Sequence, residues 1–216
     1  MRITKQPFVN IVLILVLGIA ALSHGCALTH PQPETIRYYT LHYDAPGDHP
    51  ACRSHAADKR LIVQVKRFHA PPPYNATHIL YAESPHQRSS YAYHQWVSTP
   101  ADMLTELLHR DMEHTGIADA VVSISSGHTV THRVEGTIID FYENDVPENW
   151  EAVLALRLML VRTDRELRTE TILFKRTYRE VETLEKNNPL SLARSMSKAM
   201  EAVSVRFIED VCRELE

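Results

Sequence analysis

Apolar and polar positions change period twice along this chain, and those changes predict its elements. Residues 36–43, Ile-Arg-Tyr-Tyr-Thr-Leu-His-Tyr, are rich in aromatic and β-branched types and predict a strand. Residues 44–59 are polar and carry Pro46, Gly47 and Pro50, which predicts a loop. In residues 60–68, Leu61, Val63 and Val65 recur at every second position, predicting a half-buried strand. Pro71, Pro72 and Pro73 end it, because proline cannot donate to a ladder and three together hold a stiff turn. Two short strands follow at 77–83 and 89–96, about a polar turn at Ser84–Arg88.

At Thr99 the period becomes helical. Thr99 can cap, Pro100 suits the first turn and Asp102 favours the positive end. Met103, Leu104, Leu107, Leu108 and Met112 form one stripe, and Gly116 is a natural stop, so a helix is predicted over 99–115. Val121, Val122 and Ile124 predict a short strand, and 129–142, 151–162 and 169–182 three longer ones. In the middle one Leu154, Leu156, Leu158 and Leu160 share a face and Arg157 takes the other. A final helix is predicted over 189–215. Its stripe of Leu192, Met196, Ala199, Val203, Phe207, Val211 and Leu215 is suited to cover the leucine face. The fold class expected is α/β: one domain, a mixed, largely antiparallel sheet and two principal helices.

The first 25 residues read as an address rather than as structure. Arg2 and Lys5 precede an uncharged apolar run from Phe8 to Leu22, which at about 15 residues is short for a membrane span of roughly 20. The run ends in Leu22-Ser23-His24-Gly25-Cys26, which resembles a bacterial lipobox. The resemblance implies a signal peptide over 1–25, cleavage before Cys26, acyl chains such as palmitate on Cys26, and a lipidated tether over 26–35. The alternatives are an ordinary signal peptide or an uncleaved anchor. A thiol suits the acceptor role because it is the most nucleophilic side chain for this transfer. Ala27 behind the cysteine, rather than Asp, resembles the outer-membrane sorting pattern. In an oxidising periplasm Cys52 and Cys212 are candidates for a disulfide, the alternative being two separate thiols.

Composition removes several function classes. The 216 residues carry 23 basic and 27 acidic side chains, a net charge of −4, with no basic excess to bind nucleic acid. Without Arg2 and Lys5 the mature chain has 21 basic against 27 acidic, a net charge of −6. The 6 glycines have no phosphate-loop spacing, so no nucleotide cofactor is expected. Thirteen histidines raise a metal question, but neither His128 with His132 nor His109 with His114 gains an acidic residue at ligand spacing, and no metal is expected. Glu143, Asp145 and Glu148, beside Pro147, read as a solvated hairpin tip rather than an acid–base pair. No hydrolase motif occurs, so no catalytic residues are assigned and the chain is expected not to be an enzyme.

The order of these segments resembles the ABC-type transport auxiliary lipoprotein family. The resemblance rests on Cys26, then Tyr38, Tyr39 and Leu41, then Leu61 to Val65, Pro73 and Tyr74. It continues with Tyr91-x-x-His94-x-Trp96, Pro100, and Met103-Leu104 at a helix start. It implies that residues 36–216 form an auxiliary domain without catalysis. That domain would be held at the envelope by lipid, facing the periplasm, beside an ABC transporter permease and ATPase and an MCE-domain protein that move lipids or other hydrophobic molecules. Homo-oligomers are plausible by the same analogy. A different envelope lipoprotein, activating a cell-wall synthase or assembling a secretion pore, is the alternative. Tyr91, Tyr93 and Trp96 are the candidate partner-docking residues, because tyrosine and tryptophan often dominate interface energy. The alternative is that these aromatics cap the core.

Overall fold

The computed structural model describes residues 34–47, 61–123, 129–146, 149–164 and 167–215. The signal segment, Cys26, Cys52, Ile124, His128, Pro147 and Glu148 lie outside the described residues. Residues Ile36–Glu216 form one compact unit. Its strands are β1 (Arg37–Tyr39), β2 (Ile62–Val65), β3 (His78–Ser84), β4 (Gln87–Trp96), β5 (Ala120–Val122), β6 (His132–Val146), β7 (Asn149–Asp164) and β8 (Thr169–Thr183). Its helices are α1 (Pro100–His114) and α2 (Pro189–Leu215). The eight strands make one open, mixed sheet, so the α/β class read from the sequence holds.

β6, β7 and β8 form a long antiparallel meander, with Ile138 opposite Leu156 and Leu156 opposite Tyr178. The other long edge of β6 is shared. β2 pairs parallel to its first half, Val63 opposite His132, and β3 parallel to its second half, Tyr81 opposite Glu143. Between them lies a close approach. The Phe68 ring covers Gly136, and a Cβ built on Gly136 would come within 2.4 Å of that ring. His69 N–H donates to the Gly136 carbonyl at 2.8 Å. β4 pairs antiparallel with β3, and β1 pairs parallel with β4, putting Tyr39 opposite Trp96. The triple proline gives a short 3-10 turn at Pro72–Tyr74 that buries Tyr74.

The helix ends follow from their residues. The Thr99 side chain accepts from Asp102 N–H, and Gly116 takes a positive φ of 63° past the C-cap. Arg67 reaches over from the segment after β2 to pair with Asp102 at 2.5 Å. The leucine face of β7 is fully buried, and α2 packs over β7 and β8. Phe207 sits against both Phe174 and Tyr178, ring centroids 5.8 and 6.0 Å apart. Each such fully buried large side chain contributes roughly 1.5–3 kcal/mol, an upper figure before ordering entropy.

Candidate functional site

The aromatic segment of β4 divides between core and surface, and that division corrects the docking set. Trp96 is 1% exposed and stands edge-on to Phe141 at 5.3 Å. It is a core residue: pairing with Tyr39 on β1 turns it inward, under the sheet–helix layer, so it cannot itself meet a partner. Tyr91 is half-buried, and its hydroxyl donates to Glu143 Oε2 at 2.9 Å. Of the three, Tyr93 alone stands open to solvent, 45% exposed.

Around Tyr91 a polar and aromatic relay crosses four strands. The Tyr39 hydroxyl lies 2.8 Å from His94 Nδ1. The rings of Tyr91 and His94 meet edge-on at 5.7 Å, and Tyr81 tilts against Tyr91 at 5.0 Å. Glu143 closes the row at 0% exposure, with Oε1 lacking a hydrogen-bond partner among the described residues. Burial pushes its carboxyl above the ordinary range; the Tyr91 hydrogen bond pulls it back and the charge of Asp145 raises it again. Burial and the same carboxylate raise the Tyr91 phenol. Glu143 is thus no part of a solvated hairpin tip. The signal for this was parity: Phe141 and Glu143 are two apart on one strand, so whatever buries one buries the other.

A second polar cluster pins the segment after β1 to α1. Asp111 is fully buried, accepts from the Tyr43 hydroxyl at 2.6 Å and pairs with Arg110 at 2.7 Å. Arg110 also donates to the Tyr43 carbonyl and stacks over its ring at 4.5 Å. Nearby, His42, Tyr43, Arg194, Lys198 and Glu201 line an open cavity of about 210 Å³. His132 is buried, and desolvation, with Arg162 nearby, lowers its affinity for a proton. Among the described residues no cluster of three or more His, Cys, Asp or Glu is placed to hold a metal ion. Cys212 is buried on the last turns of α2 and is disulfide-bonded; its partner lies outside the described residues.

Among the described residues no helix is long and apolar enough to cross a membrane. An open mixed sheet with two helices on a shared core defines a single α/β domain. The model of the family described as ABC-type transport auxiliary lipoprotein component matches residues 39–207. The chain belongs to the ABC-type transport auxiliary lipoprotein family. It is similar to the crystal structure of a Xanthomonas campestris protein assigned to DUF330. The TM-score is 0.70 and the identity 16%, over 82% of this chain and 95% of that one. A further crystal structure, of an uncharacterized protein, aligns with a TM-score of 0.56 at 15% identity, over 85% of this chain and all of that one. At these identities the likeness is one of fold. A comparison with curated proteins gives no match.

Proposed function

We propose that this chain is a non-catalytic periplasmic lipoprotein, the auxiliary component of an ABC transporter with an MCE-domain protein, serving movement of lipids or other hydrophobic molecules across the envelope. The observation that carries this reading is the family match over residues 39–207. Cys26 stands 13 residues ahead of that region, directly after the apolar run, where a lipid anchor is needed. In this reading residues 1–25 are removed, 26–35 are the tether and the acyl chains hold the body at the outer membrane. Two or more chains make anchoring stable, since each buried methylene contributes ~0.8 kcal/mol. The body's net charge of −6 gives no basic attraction to anionic lipid, so the chains supply the anchorage.

Affinity purification of the full chain from detergent-solubilised envelopes tests the reading. An acylated Cys26 start by intact mass, with MCE-domain, permease and ATPase proteins in the eluate, is expected. An unacylated start and an eluate without transporter components reject it. With Cys26 engaged by lipid, Cys52 is the cysteine left to bond Cys212. A gel shift on reduction that Cys52→Ser abolishes is expected, and unchanged mobility counts against the pairing.

A further inference from the structure

The most exposed apolar side chains near the start of the domain fall on or beside two paired strands, β1 and β4. Tyr38 is 62% exposed, Val97 60%, Tyr93 45% and Ile36 39%. The register explains the grouping. Tyr38 stands opposite Gln95, and the pleat puts Val97 on Gln95's side of β4 and Ile36 on Tyr38's side of β1. Tyr93 precedes the regular part of this ladder, in the stretch of β4 where its register with β3 shifts. Val97 N–H continues the ladder to the Tyr39 carbonyl at 2.8 Å, so the pattern extends past Trp96. Tyr39 and Trp96 take the inner side, which leaves the outer side of this sheet edge aromatic and aliphatic.

We propose that this face rests on the lipid bilayer, with Tyr38 at the level of the headgroups. The proposal rests on the reading of Cys26 as lipid-bearing. Three features favour a bilayer over a protein. First, ten residues, 26–35, separate the lipid from Ile36, and a chain of that length spans at most about 35 Å. The patch therefore lies on the strand that the tether enters and is held near the membrane at high effective concentration. Second, Ile36, Tyr38 and Val97 expose on the order of 300 Å². That is well under half of the roughly 800 Å² each partner buries in a stable interface. A tethered body needs no more. Third, residues 36–39 and 91–97 contain no carboxylate in a chain rich in them, and their one full charge is the exposed Arg37. Tyrosine is the side chain enriched where an apolar ring meets headgroups and water.

Tyr38→Trp reports on this directly. The full-length mature protein is placed in phosphatidylethanolamine–phosphatidylglycerol vesicles, with bromine near the top of the acyl chains or without it. After subtraction of the parent protein's emission from Trp96 and Trp150, bromine is expected to quench the added fluorescence at least twofold. Thr177→Trp, on exposed β8, is expected to be unaffected. Equal emission with and without bromine overturns the proposal. So does an emission change that follows protein concentration rather than lipid, which assigns the face to a second copy. Intact mass of the same sample judges the anchor separately. An unacylated start rejects the anchored reading, and the face is then judged by quenching when vesicles are added to the free protein. Absence of quenching there overturns it as well.

Discussion

The Tyr43 hydroxyl donates a 2.6 Å hydrogen bond to Asp111, a carboxylate with no exposure to solvent. This bond ties the chain beyond the edge strand β1 to the last turn of α1, 68 residues away in sequence. The carboxylate's other oxygen is held by Arg110. Removing the hydroxyl leaves one buried lone-pair site of an ion unmet, which costs about 1–3 kcal/mol. Tyr43→Phe, which keeps the ring beneath Arg110, is expected to lower Tm by about 3–8 °C in thermal unfolding. A melt within 1 °C of the parent, on the order of the uncertainty for so small a change, would mean that the cluster does not hold this segment.

Gly136 is required by approach rather than by conformation. Phe68, from the segment after β2, occupies the space a methyl group would need, with ring carbons 2.4–2.7 Å from a built Cβ. The ring is buried and its backbone N–H is fixed by Thr105 Oγ1 at 2.9 Å, so it cannot swing away freely. Gly136→Ala is expected to destabilise by about 1–3 kcal/mol through overpacking. The double variant Gly136→Ala with Phe68→Leu should recover part of that loss. Additive losses in a double-mutant cycle would sink this account of the contact.

Phe207 fills the space between α2 and the β7–β8 ribbon. Phe207→Ala is expected to cost about 3–5 kcal/mol and to lower Tm by roughly 10 °C. Phe207→Asp, which buries an unpaired charge, is expected to leave little folded product in the envelope fraction. Wild-type yield and melting for both variants would mean that the helix does not cover the leucine face.

The long elements were legible because their patterns are local. Leu154 to Leu160 alternates over a full strand, and the stripe from Leu192 to Leu215 repeats over seven turns, so each fixes its own buried face. The pairing of short strands was not. β1 and β5 have three residues each and β2 has four, too few for a hydrophobic alternation to specify register or direction. Their parallel alignments come from tertiary contacts such as Phe68 on Gly136. At the candidate docking cluster, neither residue type nor parity was a sufficient guide. Trp96 and Tyr93 are both aromatic and three apart on one strand, one in the core and one in solvent, yet Tyr91 and His94, also three apart, meet ring to ring, because the β3–β4 register shifts across this stretch.

Glu143 gives the domain a pH dependence of definite sign. Its carboxyl is held above the ordinary value of 4.5, chiefly by burial, so the folded state grips the proton more tightly than the unfolded chain does. The stability tied to that proton is fully present below pH 4.5 and is lost as pH rises through the raised folded value. Other groups act in different windows. Asp102, lowered by the Arg67 hydrogen bond, and Glu135, lowered by Lys66, contribute stability that is lost only in acid, as pH falls below their ordinary values. His132, lowered by desolvation, destabilises the fold as pH falls below 6.5. Glu143→Gln isolates the carboxyl, because the amide oxygen still accepts from the Tyr91 hydroxyl while the charge is gone and the other groups are unchanged. The variant is expected to resemble the parent near pH 4 and to exceed it in stability at pH 8, read from denaturant unfolding at each pH. A stability difference that stays flat from pH 4 to 8 would mean that Glu143 ionises at its ordinary value despite its burial.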